Sequence, residues 1–134
     1  MRIVLDTNVL VSGLLNPDGP PGRIVDLILD GRLQVLYDDR ILGEYLDVLG
    51  RPRLAILPEQ ARAIITYLRL AGERITAQPL PTSTLPDPDD LMFAEIAITG
   101  KADALVSGNI RHYSGLDQYG VRVLSPLELL QSLT

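Results

Sequence analysis

A chain of 134 residues with 46% hydrophobic and 22% charged residues is suited to burying a core as one domain, residues 1–134, and the absence of Cys excludes disulfides and thiolate metal sites. Aromatic residues make up 4%, with no Trp and one Phe, which argues against a base-stacking nucleic-acid module. A net charge of −5 supplies no overall attraction for polyanions, so a nucleic-acid substrate would have to be met by a local Arg patch, a bound metal or a partner.

The apolar run Ile3-Val4-Leu5 stops abruptly at Asp6 and reads as a strand buried on both faces. It is broken too soon to serve as a signal peptide. No later stretch has the apolar length of a membrane span, so a cytoplasmic protein is expected. Residues Asn16 to Gly22 form a loop by composition. A helix follows through Ile24, Val25, Leu27 and Ile28 and ends at Gly31. Leu33 to Tyr37 is the second strand, closed by Asp38 and Asp39. A helix from about Asp39 to Leu49 ends at Gly50 and Pro52, and another runs from Pro58 to about Leu70, before Gly72.

A short third strand is expected near Ile75, then an internal linker from Gln78 to Pro86. The next helix carries Leu91, Phe93, Ala94, Ile96, Ala97 and Ile98. Ala104-Leu105-Val106 and Val121-Arg122-Val123 read as strands, and Ser125-Pro126 opens a last helix with Ser as its cap. Short aliphatic strands alternating with helices predict an α/β fold, a mainly parallel sheet with helices on both faces.

Ligands of open parallel sheets bind beyond the carboxyl ends of the strands. Asp6, the pair Asp38-Asp39, and Ser107-Gly108-Asn109 all fall at such ends. Two acids on helices can reach the same edge. Asp90 lies in the first turn of its helix, and Glu44 borders the stripe of Ile41, Leu42, Tyr45, Leu46 and Leu49, whereas Asp47 points nearly opposite. Two carboxylates about 4 Å apart repel by roughly 4 kcal/mol at an effective dielectric of 20. Such a cluster is tolerated with a bound cation or with some groups protonated. Oxygen ligands without His or Cys suit Mg²⁺ or Mn²⁺ better than Zn²⁺, and such ions assist phosphodiester hydrolysis.

Each acid also has a plainer reading. Asp6 could cap the helix that follows it. Asp87-Pro88-Asp89-Asp90 is ideal helix-start chemistry; Asp87 is assigned wholly to that role, and Asp89 either supports a site or satisfies the helix dipole. Glu44 could be a surface charge, and Asp38 and Asp39 are read as capping residues. The lone His112 is expected to be a structural or exposed imidazole rather than a general acid. Asp103 is expected to bond the local backbone. Arg51 and Arg53 suit phosphate contact or a solvated helix end equally.

The segments Val4-Leu5-Asp6-Thr7-Asn8-Val9-Leu10, Ile41-Leu42-Gly43-Glu44-Tyr45-Leu46, Asp87-Pro88-Asp89-Asp90 and Leu105-Val106-Ser107-Gly108-Asn109 resemble, in order, the four acidic motifs of the PIN-domain family, and more narrowly its bacterial and archaeal toxin-like members. Val121 to Pro126 resembles the family's closing segment. The resemblance implies a three-layer sandwich around a parallel five-stranded sheet, and a Mg²⁺- or Mn²⁺-dependent endoribonuclease that forms homodimers, often with a cognate antitoxin. It further implies that Asp6, Glu44 and Asp90 bind metal directly or through water, with Thr7, Asn8 and Ser107 orienting the site by hydrogen bonds. Asn109 stands where many members have Asp; its amide is a weaker ligand and puts a second metal in doubt. A PIN-like binding module without turnover is one alternative. A receiver-like phospho-acceptor domain is the other, opposed by the lack of an acid adjacent to Asp6 and by Lys101 preceding its strand.

Overall fold

The computed structural model describes residues 1–134. Strand β1 (Arg2–Leu5) is followed by helices α1 (Thr7–Leu15) and α2 (Pro20–Leu29), β2 (Gln34–Tyr37), α3 (Asp39–Leu49) and α4 (Pro58–Ala71). Then come β3 (Glu73–Arg74), α5 (Leu91–Thr99), β4 (Ala104–Val106), β5 (Val123–Leu124) and α6 (Pro126–Ser132). The strands form one sheet in the order β3-β2-β1-β4-β5, with every neighbouring pair parallel. Helices cover both faces, giving the expected α/β sandwich.

Ile3, Val4 and Leu5 are wholly buried, as are Ala104, Leu105 and Val106 beside them. These central strands must be apolar on both faces because helices pack on each. In register, Ile3 pairs with Ala104 and Leu5 with Val106, so the two strands end level with each other. From β1 the chain moves one way to β2, while β4 lies on the other side. The crevice beyond β1 and β4 is therefore where the winding reverses, the place at which open α/β sheets hold ligands. No helix is long and apolar enough to cross a membrane.

Several boundaries differ from the sequence-based expectation. Helix α2 begins at Pro20, not after Gly22, because Pro20 and Pro21 occupy its first two positions, where a missing N–H costs nothing. β3 lies just before Ile75, and β5 is Val123–Leu124. Two 3₁₀ turns, Ile110–Tyr113 and Leu116–Tyr119, occupy a stretch with no apolar period to announce them. The last helix starts as expected: Ser125 accepts from the Glu128 amide, and Glu128 accepts in return from the Ser125 amide.

Candidate metal centre

Asp6 leaves β1 with its amide still bonded to the Val106 carbonyl at 2.9 Å. It precedes α1, but its side chain caps nothing, so the capping role does not account for it. The carboxylate is 6% exposed, and its donors all reach one oxygen. Oδ2 accepts from Ser107 Oγ at 2.7 Å, Tyr113 Oη at 3.0 Å and, at 3.5 Å, Asn8 Nδ2. Ser107 Oγ accepts in turn from the Asn109 amide at 2.9 Å, and Asn8 Oδ1 from the Gly108 amide at 3.0 Å. The turn after β4 is thus latched to the turn after β1. Tyr45 donates to the Leu5 carbonyl from below. Burial, reinforced by the Asp6 charge, pushes the Tyr45 and Tyr113 phenols well above their ordinary value, so both stay neutral donors.

Asp90 ends a 3₁₀ turn, Pro88–Asp90, whose start Asp87 caps by accepting from the Asp89 amide. Asp90 thus precedes α5 instead of lying in its first turn, and its side chain does not cap that helix either. Its Oδ2 is buried without a hydrogen-bond partner; His112 Nδ1 lies 3.3 Å away. Burial, then the neighbouring charges of Asp6 and Asp87, raise the Asp90 carboxyl to about 6, against an opposing pull from His112. Thr7 Oγ1 is the other buried side-chain oxygen without a partner.

Asp6, Thr7, Asn8, Glu44, Asp89, Asp90 and Asn109 line one cleft of about 450 Å³ beyond the strand ends, and Arg51, Arg53 and His112 line it too. Glu44 is half-buried, whereas Asp47 on the same helix is exposed, as the helical spacing requires. Asp89 and Asn109 are exposed on the rim. Ser107 is buried behind Asp6. The exposed His112 stands beside Asp90, closer to the acids than its sequence context indicates.

Asp38 and Asp39 do not join this group. Asp38 caps α3 by accepting from the Ile41 amide at 3.1 Å and pairs with Arg40, while Asp39 pairs with Arg74. They line a separate hollow with those arginines and Glu95. Asp103 bonds backbone, but not locally: it accepts from the Arg2 amide at 2.8 Å, across the sheet.

Two polar residues near the cleft carry little sequence signal. Tyr113 looks like a loop aromatic, although its hydroxyl reaches the Asp6 carboxylate. Glu95 sits among Phe93, Ala94, Ile96 and Ala97, all buried, and is itself 5% exposed. Its carboxylate accepts from Arg40 and from the Leu80 amide, each at 2.7 Å, and so ties the 76–86 segment to α5.

The donor set fits a hard divalent ion of modest protein coordination. No three Asp, Glu or His side chains enclose an ion on their own. Mg²⁺ is commonly held by one or two carboxylates plus water and substrate phosphate. Asp6, with an oxygen free of protein donors, and Asp90, with an orphaned one, meet that requirement. With His112 as its one imidazole and no thiolate, the surround lacks the nitrogen and sulfur set that zinc favours.

A protein of Methanocaldococcus jannaschii, itself uncharacterized, is 26% identical over 140 residues, covering 98% of this chain and 90% of its own length. The family model for the PIN domain matches residues 2–111, a span that holds β1 to β4 and every acid of the cleft. The chain belongs to the PIN-domain family, whose members are generally nucleases that use divalent metals.

Proposed function

We propose that residues 1–134 act as one nuclease domain, a Mg²⁺- or Mn²⁺-dependent endoribonuclease with Asp6, Glu44 and Asp90 as its catalytic acids. The observation that carries this reading is the Asp6–Asp90 pair, in which one carboxylate is held by three donors and the other keeps a buried oxygen without any. A bound ion would polarise a phosphoryl oxygen and activate a water for attack.

The chain's own residues hold the geometry. Ser107, Tyr113 and Asn8 fix the Asp6 carboxylate on one side, leaving its second oxygen to face the cleft. Asp90 supplies further charge from the turn before α5 and Glu44 from α3, with Asn109 as a weaker amide ligand at the rim. Thr7 has a hydroxyl free to hold an ordered water, and Asp89 adds charge at the rim. The toxin role, a cognate antitoxin, a homodimer and a cytoplasmic setting rest on family membership and composition alone. The strand order departs from the 2-1-3-4-5 arrangement of receiver domains, which removes support from a phospho-acceptor role.

The test is a calorimetric titration of Mg²⁺ and Mn²⁺ into wild type and Asp6→Asn, followed by incubation of both with tRNA, rRNA and mRNA. Binding lost in the variant, together with metal-dependent cleavage by wild type alone, supports the reading. Folded wild type that binds neither ion and leaves every RNA intact would leave the non-catalytic module as the better account.

A further inference from the structure

Among the cleft residues, the fixed positive charges belong to Arg51 and Arg53. The same cleft is lined by the acids Asp6, Glu44, Asp87, Asp89 and Asp90. In a chain of net charge −5, a polyanion could approach this acidic cleft only where its charge is locally offset. Arg51 and Arg53 flank Pro52, which opens the 3₁₀ turn Pro52–Leu54, and Ala55 closes that turn in the left-handed region at φ 54°. The proline fixes its own φ, so the two guanidinium stems leave a stiff corner at the end of α3 rather than a floppy loop. Arg53 makes no ion pair or hydrogen bond, and Arg51 makes only an exposed contact with Asp47 at 3.7 Å. By contrast Arg2, Arg40 and Arg74 are committed to carboxylates. The cleft's one phenyl ring, Phe93, is 2% exposed and cannot offer a face for a base.

We infer that Arg51 and Arg53 form a phosphate-binding edge that holds the backbone of single-stranded RNA next to the scissile bond, without reading its bases. The inference rests on the nuclease reading above. Guanidinium groups bind phosphate oxygens in a planar fork and need no particular base beside them. The strand is held from the corner at the end of α3, while Asp6 enters the cleft from the end of β1 and Asp90 from the turn before α5. This separates two jobs: the arginines bind, and the carboxylates act on the bond.

The experiment measures anisotropy of a short fluorescein-labelled single-stranded oligoribonucleotide in Ca²⁺, across a range of KCl, with wild type, Arg53→Gln, Arg51→Gln/Arg53→Gln and Arg62→Gln. Arg62 is exposed on α4, outside the cleft, and controls for the loss of one positive charge. Each phosphate contact adds about 0.7 to the slope of log affinity against log salt for single strands. The slope is therefore expected to shrink by about 0.7 in Arg53→Gln and about 1.4 in the double variant, equally for oligonucleotides of different sequence. It should hold in Arg62→Gln, while calorimetric Mg²⁺ affinity holds in all. An unchanged slope in the double variant, an equal loss in Arg62→Gln, or wild type that does not bind the oligonucleotide overturns the inference. Arginine-dependent binding by a protein that cleaves no RNA would instead sink the nuclease reading and leave the phosphate edge standing.

Discussion

Ser107 donates a hydrogen bond to Asp6 Oδ2 at 2.7 Å while accepting one from the Asn109 amide at 2.9 Å, so one wholly buried side chain orients a carboxylate and a turn together. Hydrogen bonds to charged groups contribute about 1.5–3 kcal/mol, and removing one partner in a buried place leaves the other unsatisfied. Ser107→Ala is expected to lose stability within that range. Residues that orient metal ligands typically change affinity or activity about 10–100-fold, so Mg²⁺ binding should weaken comparably. Urea unfolding and calorimetry check the two effects, and a variant matching wild type in both would make the bond incidental.

Asp90 makes the protein's stability depend on pH. Its folded carboxyl titrates at about 6, against an ordinary 3.8, because burial and Asp6 disfavour the charge. The sign follows: the folded state binds the proton more tightly, so this group's contribution is fully present below about 4 and is lost as pH rises through 6. Without divalent ions, Asp90→Asn should therefore melt above wild type at pH 7–8, with the gap closing as pH falls toward 4. Added Mg²⁺ should narrow the gap from the other direction by stabilising wild type. Thermal melts across that pH series decide it, and a variant that melts lower at neutral pH would show that the Asp90 charge is not a burden there.

Glu95→Ala removes the acceptor for Arg40 and for the Leu80 amide. Arg40 is half exposed and keeps Asp38, so the larger cost falls on the amide. A loss of about 2–3 kcal/mol is expected, in the range for a hydrogen bond to a charged acceptor. Hydrogen exchange should speed up at Leu80 before it does in β1 or β4; a uniform change across all three would contradict a local pin.

At Gly22 a methyl group would overlap the Pro17 carbonyl, which is backbone and cannot step aside cheaply. Gly22→Ala should destabilise by about 1–3 kcal/mol, the usual cost of overpacking, and denaturant melts would reveal a neutral substitution if the turn carrying Pro17 yields.

The acids of the cleft are legible because strong local patterns announce each position. Asp6 ends a continuous apolar strand, Asp90 follows a Pro-bearing helix start, and Glu44 borders a clear 3.6-residue stripe. Strand-end position alone misleads for Asp38 and Asp39, since it cannot show that Arg40 and Arg74 claim those carboxylates. Glu95 is hidden because α5 is apolar on nearly every side, leaving no polar face against which an inward acid stands out. Tyr113 meets Asp6 across 107 positions from a 3₁₀ turn without periodicity, and only tertiary packing creates that contact.

The pairing of β1 with β4 sets when this chain can assemble its cleft. Asp6 is made early, but the serine that orients it is 101 residues further along and the tyrosine 107. Domains emerge during synthesis at about 5–20 residues per second, so for several seconds a nascent chain carries Asp6 without Ser107 or Tyr113 to hold it. The centre strand must wait for a distant partner, and contacts of such long sequence separation form slowly. Truncated products ending before β4 would lack Ser107 and Tyr113, so the cleft takes shape only once β4 has paired with β1.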